Sequence, residues 1–313
     1  MPQEGVMNKN IGHSVNSKLR DIARSSDTDM STVQTRYALE RFLWRLVSSP
    51  WGDQIALKGA LIFVVHEGDI HRPTGDIDLN GFMADGNVDM MTRIVQEACA
   101  IECEDGIQFE PGSLQVRKRR DWSSVPEGRM ELDATIGTSR VRVRIDMGFG
   151  NAITPSAELA DYPGMIEGIP GPRLLVYPYE TMISEKLRAM WQHGAETTRL
   201  RDYYDIWMLS QRYNFDGALL GQAVKGTFGI YEDPLPQLPL DSLSEDFVAM
   251  RDDAWDRFRS ARGLKFSPPS LQETVDAIKP LLEGCVMSAS GEPVGNWKAG
   301  KGWEQTPALI PVA

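Results

Sequence analysis

Gly75-Asp76-Ile77-Asp78-Leu79 alternates charged and apolar residues. In an extended strand, residues i and i+2 point to the same face. Asp76 and Asp78 therefore share a face while Ile77 and Leu79 enter a core, and the alternation predicts a strand over 74–80. Two neighbouring carboxylates repel unless a cation lies between them. Mg²⁺ takes hard oxygen ligands, usually one or two carboxylates plus substrate phosphates. Taken alone, the pattern also describes a solvated sheet edge.

A second run, Arg140-Val141-Arg142-Val143-Arg144-Ile145-Asp146, alternates strictly. Val141, Val143 and Ile145 face a core; the arginines and Asp146 share the other face. Laid beside 74–80, this strand would supply a third carboxylate, and two-ion nucleotidyl transfer needs such a cluster. The competing reading is a salt-bridged surface strand in which Arg144 pairs with Asp146.

Outward from these strands, Val33, Tyr37, Phe42, Leu43 and Leu46 give helical spacing over 29–47, and Ser48-Ser49-Pro50 stops it. A short apolar strand at 54–58 is followed by Gly59-Ala60 and an apolar segment at 61–66. A helix is expected at 88–103. β segments follow at 107–110, 114–119, 129–136 and 140–147, the last two joined by the turn Gly137-Thr138-Ser139. Five helices are then expected, at 179–193, 198–212, 216–228, 244–261 and 270–283, separated by proline-rich connections. The chain thus reads as α+β. A mixed-sheet core occupies 29–175 and a helical lobe 176–287, between a flexible start at 1–28 and an irregular tail at 288–313.

Other polar groups could join a site. A glycine between strand and helix, as at Lys58-Gly59-Ala60, lets backbone approach a phosphate. Lys186 flanks the apolar stripe Ile183, Leu187, Met190 and Trp191. It could hold NTP phosphates as a point charge, or pair with a surface acid. Asp202 and Asp205 are three apart in the helix at 198–212, hence neighbours, and Arg201 could offset their repulsion by pairing with Asp205. The four histidines, His13, His66, His71 and His193, show no ligand spacing. There is no P-loop, no GxGxxG and no nucleophile motif.

Composition sets the outer bounds. With 313 residues the chain has room for two lobes. A net charge of −11 argues against broad nucleic-acid binding, yet leaves room for one basic groove. The basic clusters are Arg117-Lys118-Arg119-Arg120 and Arg140, Arg142 and Arg144. Three cysteines, Cys99, Cys103 and Cys285, make no disulfide framework and read as packing residues. No apolar run reaches the roughly 18–20 residues of a membrane span, and the N-terminus lacks the apolar stretch of a secretory signal. The expectation is a cytoplasmic protein without a membrane association.

In order and approximate spacing, several segments resemble the AbiEii/AbiGii-type nucleotidyltransferase toxin family. They are Leu57-Lys58-Gly59-Ala60, Arg72-Pro73-Thr74-Gly75-Asp76-Ile77-Asp78-Leu79, and Ile145-Asp146-Met147-Gly148-Phe149-Gly150. Tyr177-Pro178-Tyr179-Glu180 leading to Glu185-Lys186-Leu187 follows, then Arg199-Leu200-Arg201-Asp202-Tyr203-Tyr204-Asp205-Ile206. The resemblance spans roughly residues 30–305. It implies a DNA-polymerase-β-like nucleotidyltransferase core with an added helical lobe, the toxin half of a bacterial toxin–antitoxin or abortive-infection pair. By the same resemblance Asp76 and Asp78 bind Mg²⁺, Asp146 is the third acid, and Lys186 contacts the nucleotide phosphates. Asp202, with Asp205, completes or orders the site; Gly59, Ala60, Arg72 and Thr74 lie along the nucleotide. Three positions depart from the family pattern: Ala60 brings no hydroxyl, Arg201 stands where lysine is common, and Asn151 where an acid often follows.

The leading expectation is Mg²⁺-dependent transfer of a nucleotide from an NTP to an RNA acceptor, a tRNA 3′ end, with a cognate antitoxin as partner. The basic face of Arg140, Arg142 and Arg144 beside Asp146 favours RNA. The alternatives are nucleotidylation of a protein hydroxyl and a catalytically idle binding protein.

Overall fold

The computed structural model describes residues 4–68, 71–83, 86–118, 126–261, 264 and 266–304, with side chains from residue 11 onward. The chain divides into two compact units. One comprises the chain up to Asn151 with Glu158–Val176, the other Ala152–Ala157 and the chain from Tyr177 onward.

The first unit is built on a mixed sheet. Two helices, α1 (Glu4–Ser25) and α2 (Met30–Ser48), precede strand β1 (Ile55–Lys58). A 3₁₀ turn, Gly59–Leu61, leads into the short helix α3 (Ile62–Glu67). Strand β2 (Asp76–Gly81), helix α4 (Val88–Cys99), and strands β3 (Ile107–Phe109), β4 (Gln115–Lys118), β5 (Glu127–Ile136), β6 (Ser139–Phe149), β7 (Glu158–Asp161) and β8 (Arg173–Val176) follow. The sheet order is β3-β5-β6-β2-β1-β8-β7, with β4 also paired to β5. The β2–β6 and β1–β8 pairs are parallel and the others antiparallel. The mixed sheet expected from the two alternating runs is therefore present, and β2 and β6 are adjacent at its centre.

The alternation along β6 sets its register. Val141, Val143, Ile145 and Met147 are buried on the face that α2 covers. Each buried aliphatic side chain contributes roughly 1.5–3 kcal/mol. A slip of one residue would bury Arg142, Arg144 and Asp146 instead, which no such gain could offset. The β5–β6 turn is Gly137-Thr138, shorter by one residue than the turn read from sequence, since Ile136 pairs directly with Ser139. Gly137 has φ +60°, as the first position of a tight hairpin turn of type II′ requires.

The N-terminal segment, expected to be flexible, forms α1 and is a correction. Its inward stripe is Gly12, Val15, Asn16, Leu19 and Ala23, too small and polar to reveal a helical period. A Cβ at Gly12 would collide with the Gly137 backbone, and Asn16 Nδ2 donates to Ile136 O at 2.6 Å. The helix thus docks on the hairpin turn by close backbone approach rather than by apolar bulk. Asp29 caps α2 by accepting from Thr32 N. Inside α2, Arg41 and Arg45 converge on Asp105, at 2.9 and 2.6 Å, and Glu40 accepts from Met165 N at 2.8 Å. All of these charged groups are buried.

The second unit is helical: α5 (Tyr179–His193), α6 (Leu200–Arg212), α7 (Gly217–Ile230), α8 (Glu245–Ala261) and α9 (Leu271–Ser290). Ser270 caps α9 by accepting from Glu273 N, and the helix runs through Pro280 two turns past its expected end. The part of the tail that is described, up to Glu304, is not irregular as expected; residues 305–313 lie outside the described residues. Strands β9 (Trp297–Lys298) and β10 (Gly302–Trp303) pair, Trp297 Nε1 donates to Ser210 O, and Trp303 Nε1 donates to Pro280 O. Two indole N–H groups thereby tie the hairpin to α6 and α9. No helix among the described residues is long and apolar enough to cross a membrane.

Candidate active site

Within the sheet, Asp78 lies in register with Asp146 and Asp76 with Arg144. Registered partners of a parallel pair project to the same face, with strands about 4.8 Å apart. Asp78 and Asp146 are therefore lateral neighbours, and Asp76 sits one pleat along. Leu79 and Ile77 anchor β2 from the opposite face, both fully buried.

The row through Asp78 continues on both sides. Lys58 stands opposite Asp78 on β1, Arg129 opposite Asp146 on β5, and Arg117 opposite Arg129 on β4. Arg129 grips Asp146 with both arms of its fork, Nε donating to Oδ1 at 2.7 Å and Nη2 to Oδ2 at 2.6 Å. The same Nη2 lies 3.6 Å from Asp76 Oδ2. The hydrogen bond to Asp146, with the nearby charges of Asp146, Asp76 and Asp78, pushes the guanidinium above its ordinary value despite partial burial. Asp146 is thus salt-bridged, but by Arg129 rather than by Arg144.

Gly59 follows β1 directly, with φ +71°. A Cβ there would run into the Asp78 carboxylate. Glycine is required on both counts: left-handed backbone, and an acid lying against the Cα. Ala60 is buried, so position 60 faces the core whatever its side chain. Thr74 Oγ1 makes a long bond, 3.4 Å, to Asp76 O at the start of β2. Arg72 is buried and engaged within the protein.

The donor set suits a hard divalent ion. Asp76 and Asp78 present oxygens on one face, and the missing side chain at Gly59 lets the Asp78 carboxylate pack against the backbone there. As they stand, no three carboxylate, imidazole or thiol groups converge closely enough to hold one ion among the described residues. Arg129 occupies the third carboxylate.

The face beyond the acids differs from expectation. Arg142 pairs with Asp133 at 2.8 Å and approaches Glu131 at 3.6 Å, and Arg144 lies 3.8 Å from Glu131. Arginines of β6 and acids of β5 alternate across the hairpin, so Arg142 and Arg144 do not form a net basic strip. Arg117 and Lys118 are exposed on β4; Arg119 and Arg120 lie outside the described residues.

In the second unit Lys186, Asp202 and Asp205 meet. Lys186 Nζ on α5 donates to Asp202 Oδ1 at 2.7 Å and lies 2.8 Å from Asp205 Oδ2, both on α6. Arg199 Nε donates to the other Asp202 oxygen at 2.6 Å. The acids are 1% and 0% exposed and the lysine 11%. Burial alone would raise the Asp202 carboxyl, but Lys186 and Arg199 outweigh it and hold it well below the ordinary range. The spacing of three therefore lets both acids reach one ammonium. Arg201, expected to pair with Asp205, is exposed, and Lys186 makes that bond.

Lys58 and Arg129 are the residues of the acid row that sequence reasoning did not single out. For Arg129 a signal existed: counting back along the hairpin from a two-residue turn places it opposite Asp146. The thiols offer no competing chemistry. Burial pushes Cys99 up to about 12 and Cys285 higher still.

Comparison with known proteins supplies the wider context. The family model described as nucleotidyl transferase AbiEii toxin, type IV toxin–antitoxin system, matches residues 41–277. A nucleotidyltransferase candidate from Helicobacter pylori is similar in structure, at 15% identity and a TM-score of 0.46, over 84% of this chain and 98% of that one. JHP933 from the same organism gives 14% identity and a TM-score of 0.45, over 84% of this chain and 95% of that one. No curated protein matches the sequence. The family match covers well over half of the chain and takes in both the Asp76, Asp78 and Asp146 row and the Lys186, Asp202 and Asp205 cluster, so the chain is a nucleotidyltransferase that belongs to the AbiEii toxin family of type IV toxin–antitoxin systems.

Proposed function

We propose that this enzyme moves a nucleotide from an NTP to an RNA acceptor, a tRNA 3′ end, in the cytoplasm, with Mg²⁺ held by Asp76 and Asp78 and with Asp146 as the third acid. The observation that carries the reading is the registered pair of Asp78 and Asp146 with Asp76 one pleat away. When bound, Mg²⁺ would make the acceptor hydroxyl more acidic and neutralise charge on the leaving pyrophosphate. Asp76 and Asp78 would orient that ion, and Gly59 makes room for the Asp78 carboxylate against the backbone. Asp202 and Asp205 hold the Lys186 ammonium at 2.7 and 2.8 Å, and Lys186 would contact nucleotide phosphates as a point charge. As a family toxin the protein has a cognate antitoxin as partner.

One observation favours a second acceptor. Arg142 and Arg144 are neutralised by Glu131 and Asp133, and the net charge is −11. That combination suits a protein hydroxyl better than it suits a phosphate backbone. Incubating the full chain with each α-³²P-NTP, Mg²⁺, total bacterial RNA and cell protein separates the two. Label on tRNA-sized RNA supports the first reading; label on protein alone replaces the acceptor; label on neither overturns both.

A further inference from the structure

The acid row contains a cation of its own. Arg129 is half-exposed, yet it is held at three points by two of the three acids: two short bonds to Asp146 and the 3.6 Å approach to Asp76. A guanidinium fork matched to a carboxylate in this way satisfies both oxygens at once. A divalent ion drawing on Asp146 must displace at least one of those bonds, and an ion at Asp76 must approach the same Nη2. Lys58 stands opposite Asp78 on β1, on the other side of the acids.

We propose that Arg129 is a resident counter-ion of the acid row and competes with the divalent ion for Asp146. It is a positioning residue. With Arg129 in place, Asp146 is held on its strand and the row keeps its shape without metal; Asp146 joins the ligand set only as Arg129 lets go. This inference rests on the metal reading of Asp76 and Asp78 given above, and it concerns binding rather than turnover.

The opposing reading is that Arg129 merely braces the hairpin. The two differ in sign. A brace, once removed, loosens the acids and weakens ion binding. A competitor, once removed, strengthens it. The probe is Mn²⁺, titrated into the full chain without nucleotide, with the free-ion electron paramagnetic resonance signal reporting binding. Arg129→Gln is expected to bind Mn²⁺ tighter by on the order of tenfold, the size expected from removing one screened positive charge near the ion. Arg129→Lys keeps the charge but not the two-point grip and falls between wild type and Gln; it carries the test if the Gln variant does not fold. Relative to Asp146→Asn alone, the gain is smaller in Arg129→Gln/Asp146→Asn, because the charge effect remains while Asp146 is no longer there to be released. Equal or weaker binding by Arg129→Gln, with wild-type binding intact, overturns this inference alone. Absence of any saturable Mn²⁺ binding that Asp76→Asn/Asp78→Asn abolishes overturns the metal reading, and this inference with it.

Discussion

Arg129 and Asp146 stand opposite each other across the β5–β6 hairpin and share two hydrogen bonds, 2.7 and 2.6 Å long. The arginine side chain is 43% exposed, so screening limits what the pair adds to stability to about 1 kcal/mol or less. Asp146→Asn is therefore expected to shift the unfolding free energy by no more than that, while lowering nucleotide transfer by on the order of 100-fold. Urea unfolding and a transfer assay on the same preparation check both halves. A large loss of stability with little loss of transfer would make Asp146 a structural acid.

Lys186 lies in a different environment. Its two carboxylate partners are almost wholly buried, so Lys186→Met strips an ammonium from acids that cannot turn to water. The expected cost is about 3–5 kcal/mol. The pH dependence has a defined sign. In the wild type the Asp202 carboxyl is depressed below its ordinary 3.8, so its stabilisation is complete above that pH and is lost as pH falls through the folded value. In Lys186→Met burial is less opposed, so lowering the pH from 7 to 5 should recover part of the variant's lost stability. Denaturant midpoints at the two pH values decide it; a gap that widens on acidification would contradict the account.

Glu40 offers a test within the first unit. Burial pushes its carboxyl up to about 7, against the opposing hydrogen bond from Met165 N and the charge of Arg41. A carboxyl raised above its unfolded value of 4.5 binds an extra proton in the native state between those two pH values, so its contribution to stability falls as pH rises from 4.5 to about 7. The full swing is on the order of 3 kcal/mol. Glu40→Gln keeps an acceptor for Met165 N and removes the titration. The stability difference between variant and wild type should therefore move in the variant's favour from pH 5 to pH 8. An unchanged difference would show that Glu40 does not titrate in that range.

Gly59→Ala tests the close approach at the end of β1. The substitution puts a side chain on left-handed backbone and drives a methyl into the Asp78 carboxylate. Strain of roughly 1–2 kcal/mol is expected from the backbone, and displacement of Asp78 should lower transfer by on the order of 100-fold. Thermal melting with a transfer assay measures the two effects; full activity would mean that Asp78 need not stay where it is.

Much of the arrangement was legible in the chain because period-2 alternation leaves little choice. Ile77 and Leu79, and Val141, Val143 and Ile145, can only go inward, which turns Asp76, Asp78 and Asp146 outward on their strands. The apolar stripes of α5 and α6 were equally plain. What stayed hidden was partnership. Reading the turn as Gly137-Thr138-Ser139 rather than Gly137-Thr138 changes which residue faces Asp146, because one residue of slip moves every pair. Helix α1 was missed because its docking face is made of Gly12 and Asn16 as much as of Val15 and Leu19. The tail hairpin was missed because Trp297 and Trp303 act through indole N–H groups on distant carbonyls, a contact with no sequence period. For Lys186 two readings stood open, phosphate contact or surface pairing, and its carboxylate partners are buried, which neither named.

The central claim is that nucleotidyl transfer takes place at Asp76, Asp78 and Asp146. Its most direct test is transfer from α-³²P-NTP by wild type and by Asp78→Asn of matched melting temperature, each with Mg²⁺ and with EDTA. Label is expected with wild type and Mg²⁺ alone, and a loss on the order of 10³-fold in the variant. Transfer by Asp78→Asn at the wild-type rate, or transfer by wild type undiminished in EDTA, would contradict it.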